Sequence, residues 1–85
     1  MRPFSLLIAL EVFDFVSMQS RRMQWELRMR MLLIRDFPHN HSDFLEPDSS
    51  GRAFNVHLFG RYAIKYWIDH ADQQVKIMEI SLSDR

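Results

Sequence analysis

"SRRMQWELRMRMLLIRDF", residues 20–37, reads in two ways, and the fold turns on the choice. Met23, Trp25, Leu27, Met29 and Met31 alternate with polar residues, which is the period of a half-buried strand. Composition argues the other way. Met, Gln, Glu, Leu and Arg lose little side-chain freedom in a helix, and Ile34 is the only β-branched residue in the stretch. As a helix, Met23, Leu27, Met31 and Ile34 line one face, while Arg22, Glu26 and Arg30 form i, i+4 charge pairs on another. Trp25 and Met29 flank the apolar face, either as part of a broad buried surface or as a partner surface. Pro38 ends the helix, because the residue before a proline is pushed out of the α region.

Upstream, residues 3–8 read as a short buried strand that enters a helix near Ala9, with Leu10, Phe13 and Ser17 on its inner stripe. Downstream, residues 38–52 are rich in turn formers and read as a connection, anchored to the core by Phe44 and Leu45. His39 and His41 stand near Asp43 there, but two histidines in a polar loop without further ligands do not define a metal site. From Ala53 the period becomes two: "AFNVHLF", a turn at Gly60, "RYAIKYWI", a polar turn, then "VKIMEISL", whose two faces are both substantially apolar. The order is β-α-α-β-β-β. It predicts an α+β fold with two helices packed on one face of a small, mainly antiparallel sheet. Phe13, Leu27, Met31, Val56, Tyr62, Ile64 and Tyr66 form the expected core.

Eighty-five residues, 47% of them hydrophobic, fit one domain over 1–85 and argue against disorder. The absence of cysteine excludes disulfides, cysteine-ligated zinc and a thiol nucleophile. No apolar run reaches the roughly 18 residues of a membrane span. The N-terminal stretch lacks a small-residue cleavage site and is interrupted by Glu11 and Asp14, so it reads as fold rather than signal peptide, in a cytoplasmic protein. Net charge is zero, yet Arg21, Arg22, Arg28, Arg30 and Arg35 crowd one segment, and Asp36, Asp43, Glu46 and Asp48 the next. The basic segment reads either as a solvated helix face or as a patch for nucleic acid or an acidic partner.

The element order, "D-x-x-G-R" at Asp48, Gly51 and Arg52, "GRYAIKYW" from Gly60, and "V-x-I-x-x-I" from Val75 together resemble the RelE/ParE toxin superfamily. The resemblance spans nearly the whole chain. It implies a toxin-like component of a bacterial type II toxin–antitoxin module, of the kind called plasmid-stabilisation proteins, neutralised by a cognate antitoxin. Members include ribosome-dependent mRNA endonucleases and gyrase-directed poisons, so the target is not implied. The nucleases carry two basic residues two apart before the hairpin, where this chain has Asn55 and His57. They carry an arginine after the first tyrosine of the next strand, where this chain has Ala63 after Tyr62. Arg85 takes the place of the nucleases' late arginine.

The catalytic candidates are therefore His57, Arg61, Lys65 and Arg85. Histidine suits general base work, and cations stabilise charge on a phosphoryl transition state. Alternation places His57 and Lys65 on one face, with Asn55, Arg61 and Trp67, opposite the helices. Asn55 and Trp67 there, and Arg28 and Arg30 on the helix, are the partner-binding candidates. Neither metal nor cofactor is expected. Three readings stay open: a toxin-like module without efficient ribosome-dependent cleavage, an mRNA endonuclease centred on His57, and a non-toxic binding or oligomerising descendant of the fold. Their partners are an antitoxin, a protein target or RNA and the ribosome, or a second copy in a homodimer.

Overall fold

The computed structural model describes residues 3–83. Its elements are β1 (Ser5–Ile8), α1 (Leu10–Ser17), α2 (Arg21–Asp36), β2 (Phe44–Pro47), β3 (Ala53–Phe59), β4 (Tyr62–Asp69) and β5 (Gln74–Leu82). The stretch that decided the fold is a helix. Ser20 caps it, its side-chain oxygen accepting from the Met23 N–H at 3.2 Å, and it stops one residue short of the Phe37–Pro38 step. Leu27, Met31 and Ile34 are its buried residues.

The strands form one sheet in the order β1-β5-β4-β3-β2. β1 runs parallel to β5, and the other neighbours are antiparallel. Both helices cover one face of this sheet. Beneath them Tyr62, Ile64, Tyr66, Val75, Ile77 and Ile80 meet Val12, Leu27, Met31 and Ile34 in one core cluster.

Several expectations need correction. Residues 38–52 hold an additional strand, β2, at the sheet edge, and its Phe44 and Leu45 are exposed rather than anchored in the core. A four-residue edge strand ending in proline carries too little pattern to stand out from a loop. In α1 the buried residue is Val12, with Phe15 and Val16 packed beside it, whereas Phe13 is 58% exposed. That helix is two turns long and apolar on both sides, so periodicity alone did not orient it. Val56 is buried, but on the face away from the helices and outside the core cluster.

The last correction comes from the hairpin. Phe59 lies directly opposite Tyr62, which makes Gly60 and Arg61 together the connection, with Gly60 at φ +59°. Reading Gly60 alone as the turn shifts the pairing by one residue, and a one-residue shift exchanges the faces of a whole strand. In β5 a register irregularity opposite Lys65 and Tyr66 has Glu79 and then Ile77 as successive partners. Its buried residues are accordingly Val75, Ile77 and Ile80, a change of parity within one strand. This is why both faces of that strand look apolar in sequence.

Candidate functional site

His57 and Lys65 lie on opposite faces of the sheet. His57 pairs with Ile64 on the helix side, and Lys65 pairs with Val56 on the open side. The row of Asn55, His57, Lys65 and Trp67 expected on one surface is therefore split. His57 goes under the helical layer, Lys65 and Trp67 remain on the open face, and Asn55, half-buried opposite Tyr66, still borders the cleft beside Trp67.

On the helix side His57 is 7% exposed. Its Nδ1 stands 2.9 Å from the carbonyl oxygen of His41 and 3.5 Å from Asp43 Oδ2, which itself accepts the Leu58 N–H at 2.7 Å. A carbonyl can only accept, so Nδ1 carries the proton and Nε2 holds the lone pair. That Nε2 is buried and meets no hydrogen-bond partner among the described residues. Burial pushes the imidazole below its ordinary pKa, and the nearby Arg30 charge acts the same way, against the His41 carbonyl and Asp43. His57 is thus a neutral imidazole whose lone pair faces protein, not a substrate hydroxyl. Next to it, Tyr66 donates its hydroxyl to the Pro38 carbonyl at 2.5 Å, and burial raises its pKa to about 12.

On the open side, Trp67 stacks on Phe54 with centroids 5.1 Å apart and planes within 7°, and the Arg52 guanidinium carbon lies 4.4 Å from the Trp67 ring centre. Beside them a cleft of about 380 Å³ is lined by Arg52, Asn55, Trp67, Asp69, His70 and Lys76. The lysines of this face are already paired. Lys65 Nζ reaches Glu46 at 2.5 Å and Glu79 at 3.6 Å, and Lys76 Nζ reaches Asp69 at 3.2 Å. The Glu46 contact holds Lys65 above its usual pKa; the Asp72 amide and Lys76 hold Asp69 below its own. A cation already matched by a carboxylate has little charge left for phosphate.

Arg61 sits exposed in the β3–β4 turn, and Arg85 lies outside the described residues. Arg28 borders a groove with Phe13, Val16 and Met31, and Arg30 lies over the Phe59 ring at 4.3 Å. His39 stacks on His70 at 5.2 Å while His41 meets His57 edge-on at 5.4 Å, so the two loop histidines turn to different neighbours. Among the described residues no three His, Cys, Asp or Glu side chains come together as a metal site, and no helix is long and apolar enough to cross a membrane. Sequence reasoning missed Arg52, Phe54 and Glu46. Arg52 stood in the "D-x-x-G-R" motif, but its contact with Trp67 needed the register, and Glu46 needed β2.

The backbone now bears comparison with solved structures. An archaeal RelE–RelB complex from Pyrococcus horikoshii matches at TM-score 0.79, with 11% identity over 99% of both chains. The fold is RelE-like. The RelBE2 toxin–antitoxin complex of Mycobacterium tuberculosis matches at 0.78, with 13% identity over 95% of this chain and 99% of the other. The isolated RelE toxin of E. coli matches at 0.75, with 10% identity over 96% and 86%. No family model and no curated protein matches the sequence. At such identities the RelE-like backbone is shared, and the side chains of the site stand on their own chemistry. That chemistry is an aromatic and guanidinium stack beside a polar cleft, with the histidine withdrawn beneath the helical layer.

Proposed function

We propose that this chain is the toxin-like component of a bacterial type II toxin–antitoxin module, neutralised by a cognate antitoxin and lacking efficient ribosome-dependent mRNA cleavage. The RelE-like fold supports the first part, since solved structures of that shape include complexes of RelE with RelB. One observation carries the second part: His57, the base among the sequence's catalytic candidates, is buried on the helix side while the lysine meant to act with it is paired to Glu46 on the other. Cleavage of RNA through its 2′-hydroxyl needs a base within hydrogen-bond reach and uncompensated cations around the phosphorane. Ala63 stands where the nucleases of the superfamily have a further arginine. The expected action is accordingly on a protein target.

Inducing the chain in bacteria tests this. Growth should slow, a co-expressed small neighbouring gene should relieve it, and primer extension on translated mRNA should find no codon-positioned cuts. Strong cuts abolished by His57→Ala would reverse the mechanistic part. No growth effect would leave a non-toxic binding descendant of the fold.

A further inference from the structure

β3 and β4 pair only as far as Asn55 and Tyr66. Beyond that pair the sheet forks: β3 continues beside β2 to Ala53 and Pro47, and β4 beside β5 to Asp69 and Gln74. The cleft of about 380 Å³ lies in this fork, with Ala53 and Ile68 on its two sides. Strand alternation aims backbone groups into it. The Arg52 and Val56 carbonyls accept from Asp48 and Asp43 on the β2 side, so Ala53 turns its own N–H and C=O toward β4. Ile68, two residues past Tyr66, turns its backbone groups toward β3 by the same rule. The fork therefore offers, on both sides, the kind of edge that receives an extended chain.

The side chains select what enters. Lys76 is matched by Asp69 at 3.2 Å, and His70 stacks on His39. Arg52 enters no ion pair among the described residues. Asp48, its nearest acid in sequence, holds Ser50 and the Arg52 backbone N–H instead. Contact with the Trp67 ring at 4.4 Å positions the guanidinium and leaves the N–H groups of its edge for a carboxylate. Two further polar groups of the wall are unspent. The Asn55 side-chain amide makes no hydrogen bond among the described residues, and the Trp67 indole N–H is buried without a partner there. One uncompensated cation matches one negative charge, whereas a nucleic-acid strand needs a row of them.

We propose that the fork between β3 and β4 binds the extended C-terminal end of a peptide, its carboxylate on Arg52 and its last amide between Ala53 and Ile68. The full chain is labelled with nitrogen-15, and its two indole N–H resonances are assigned with Trp25→Phe and Trp67→Phe. The probe is acetyl-alanyl-alanine as the free acid, beside the same peptide with a C-terminal amide. The acid should move the Trp67 resonance saturably and leave Trp25 in place. The amide form should bind about tenfold more weakly or worse, because it forfeits a charge-assisted bidentate contact. Arg52→Gln should weaken the acid to the same extent, and Arg52→Lys, which keeps the charge but not the flat fork, should still lose affinity. Arg28→Gln, on the helical layer, should change nothing. Resonances that stay in place away from the cleft show that each variant is folded. Equal binding of acid and amide, no response at Trp67, or full affinity in Arg52→Gln overturns the proposal. So does acetate or inorganic phosphate binding as tightly as the peptide, which makes the cleft an adventitious anion site only, or tighter binding of single-stranded RNA. The growth assay decides the toxin-like reading separately, so either can fail without the other.

Discussion

His57 holds the backbone carbonyl of His41 at 2.9 Å, and through that bond the connection after α2 is tied to the inner face of β3. One strand residue thereby anchors a segment sixteen positions away. A second tie, from Tyr66 to Pro38, fastens the start of the same connection. Both side chains are buried, so their protonation is linked to folding.

For His57 the sign follows from its lowered pKa. The unfolded chain takes up the proton near the ordinary value of 6.5, the folded chain only at lower pH. Stability from this residue is complete above 6.5 and is lost as pH falls from there through the folded value. Urea unfolding between pH 7.5 and about 5 should show stability declining. His57→Gln, which does not titrate, should flatten the slope; an equal slope in both proteins would assign the decline to other groups.

Tyr66→Phe removes the donor and leaves the Pro38 carbonyl without it. The expected loss is about 1–3 kcal/mol. Spectrophotometric titration should show one tyrosine of the wild type ionising near 12, and that step should be missing from the variant.

Gly60 is held at φ +59°, and a Cβ built there meets nothing within 4 Å. Gly60→Ala therefore costs backbone strain without a clash, about 1–2 kcal/mol. Thermal unfolding should report a melting temperature lower by roughly 4–8 °C per kcal/mol. A neutral result would mean that the turn relaxes to another geometry.

Glu46 and Glu79 neutralise Lys65 on the open face. Replacing both with glutamine should strengthen retention on heparin, and raise the salt needed for elution, more than removing two acids elsewhere, such as Asp14 and Asp72. Equal retention of the two double variants would show that only net charge matters.

Some of this was legible in the chain alone. Straight-chain composition between Met23 and Met31 decided for a helix, and Pro38 marked its end, because these effects are local to a turn of backbone. The switch to period two at Ala53 located β3 and β4, and the motifs around Gly60 pointed to the RelE-like shape. Tertiary structure decided which face each strand residue joined. Alternation gives two sets of residues per strand but no rule for matching the sets of neighbouring strands; the Gly60–Arg61 turn set that match and carried His57 inward beside Ile64. It also brought Glu46 to Lys65 and Arg52 to Trp67, contacts between residues separated by 19 and 15 positions. Charge and exposure at a site are sums over such neighbours, and those neighbours exist only once the sheet has closed.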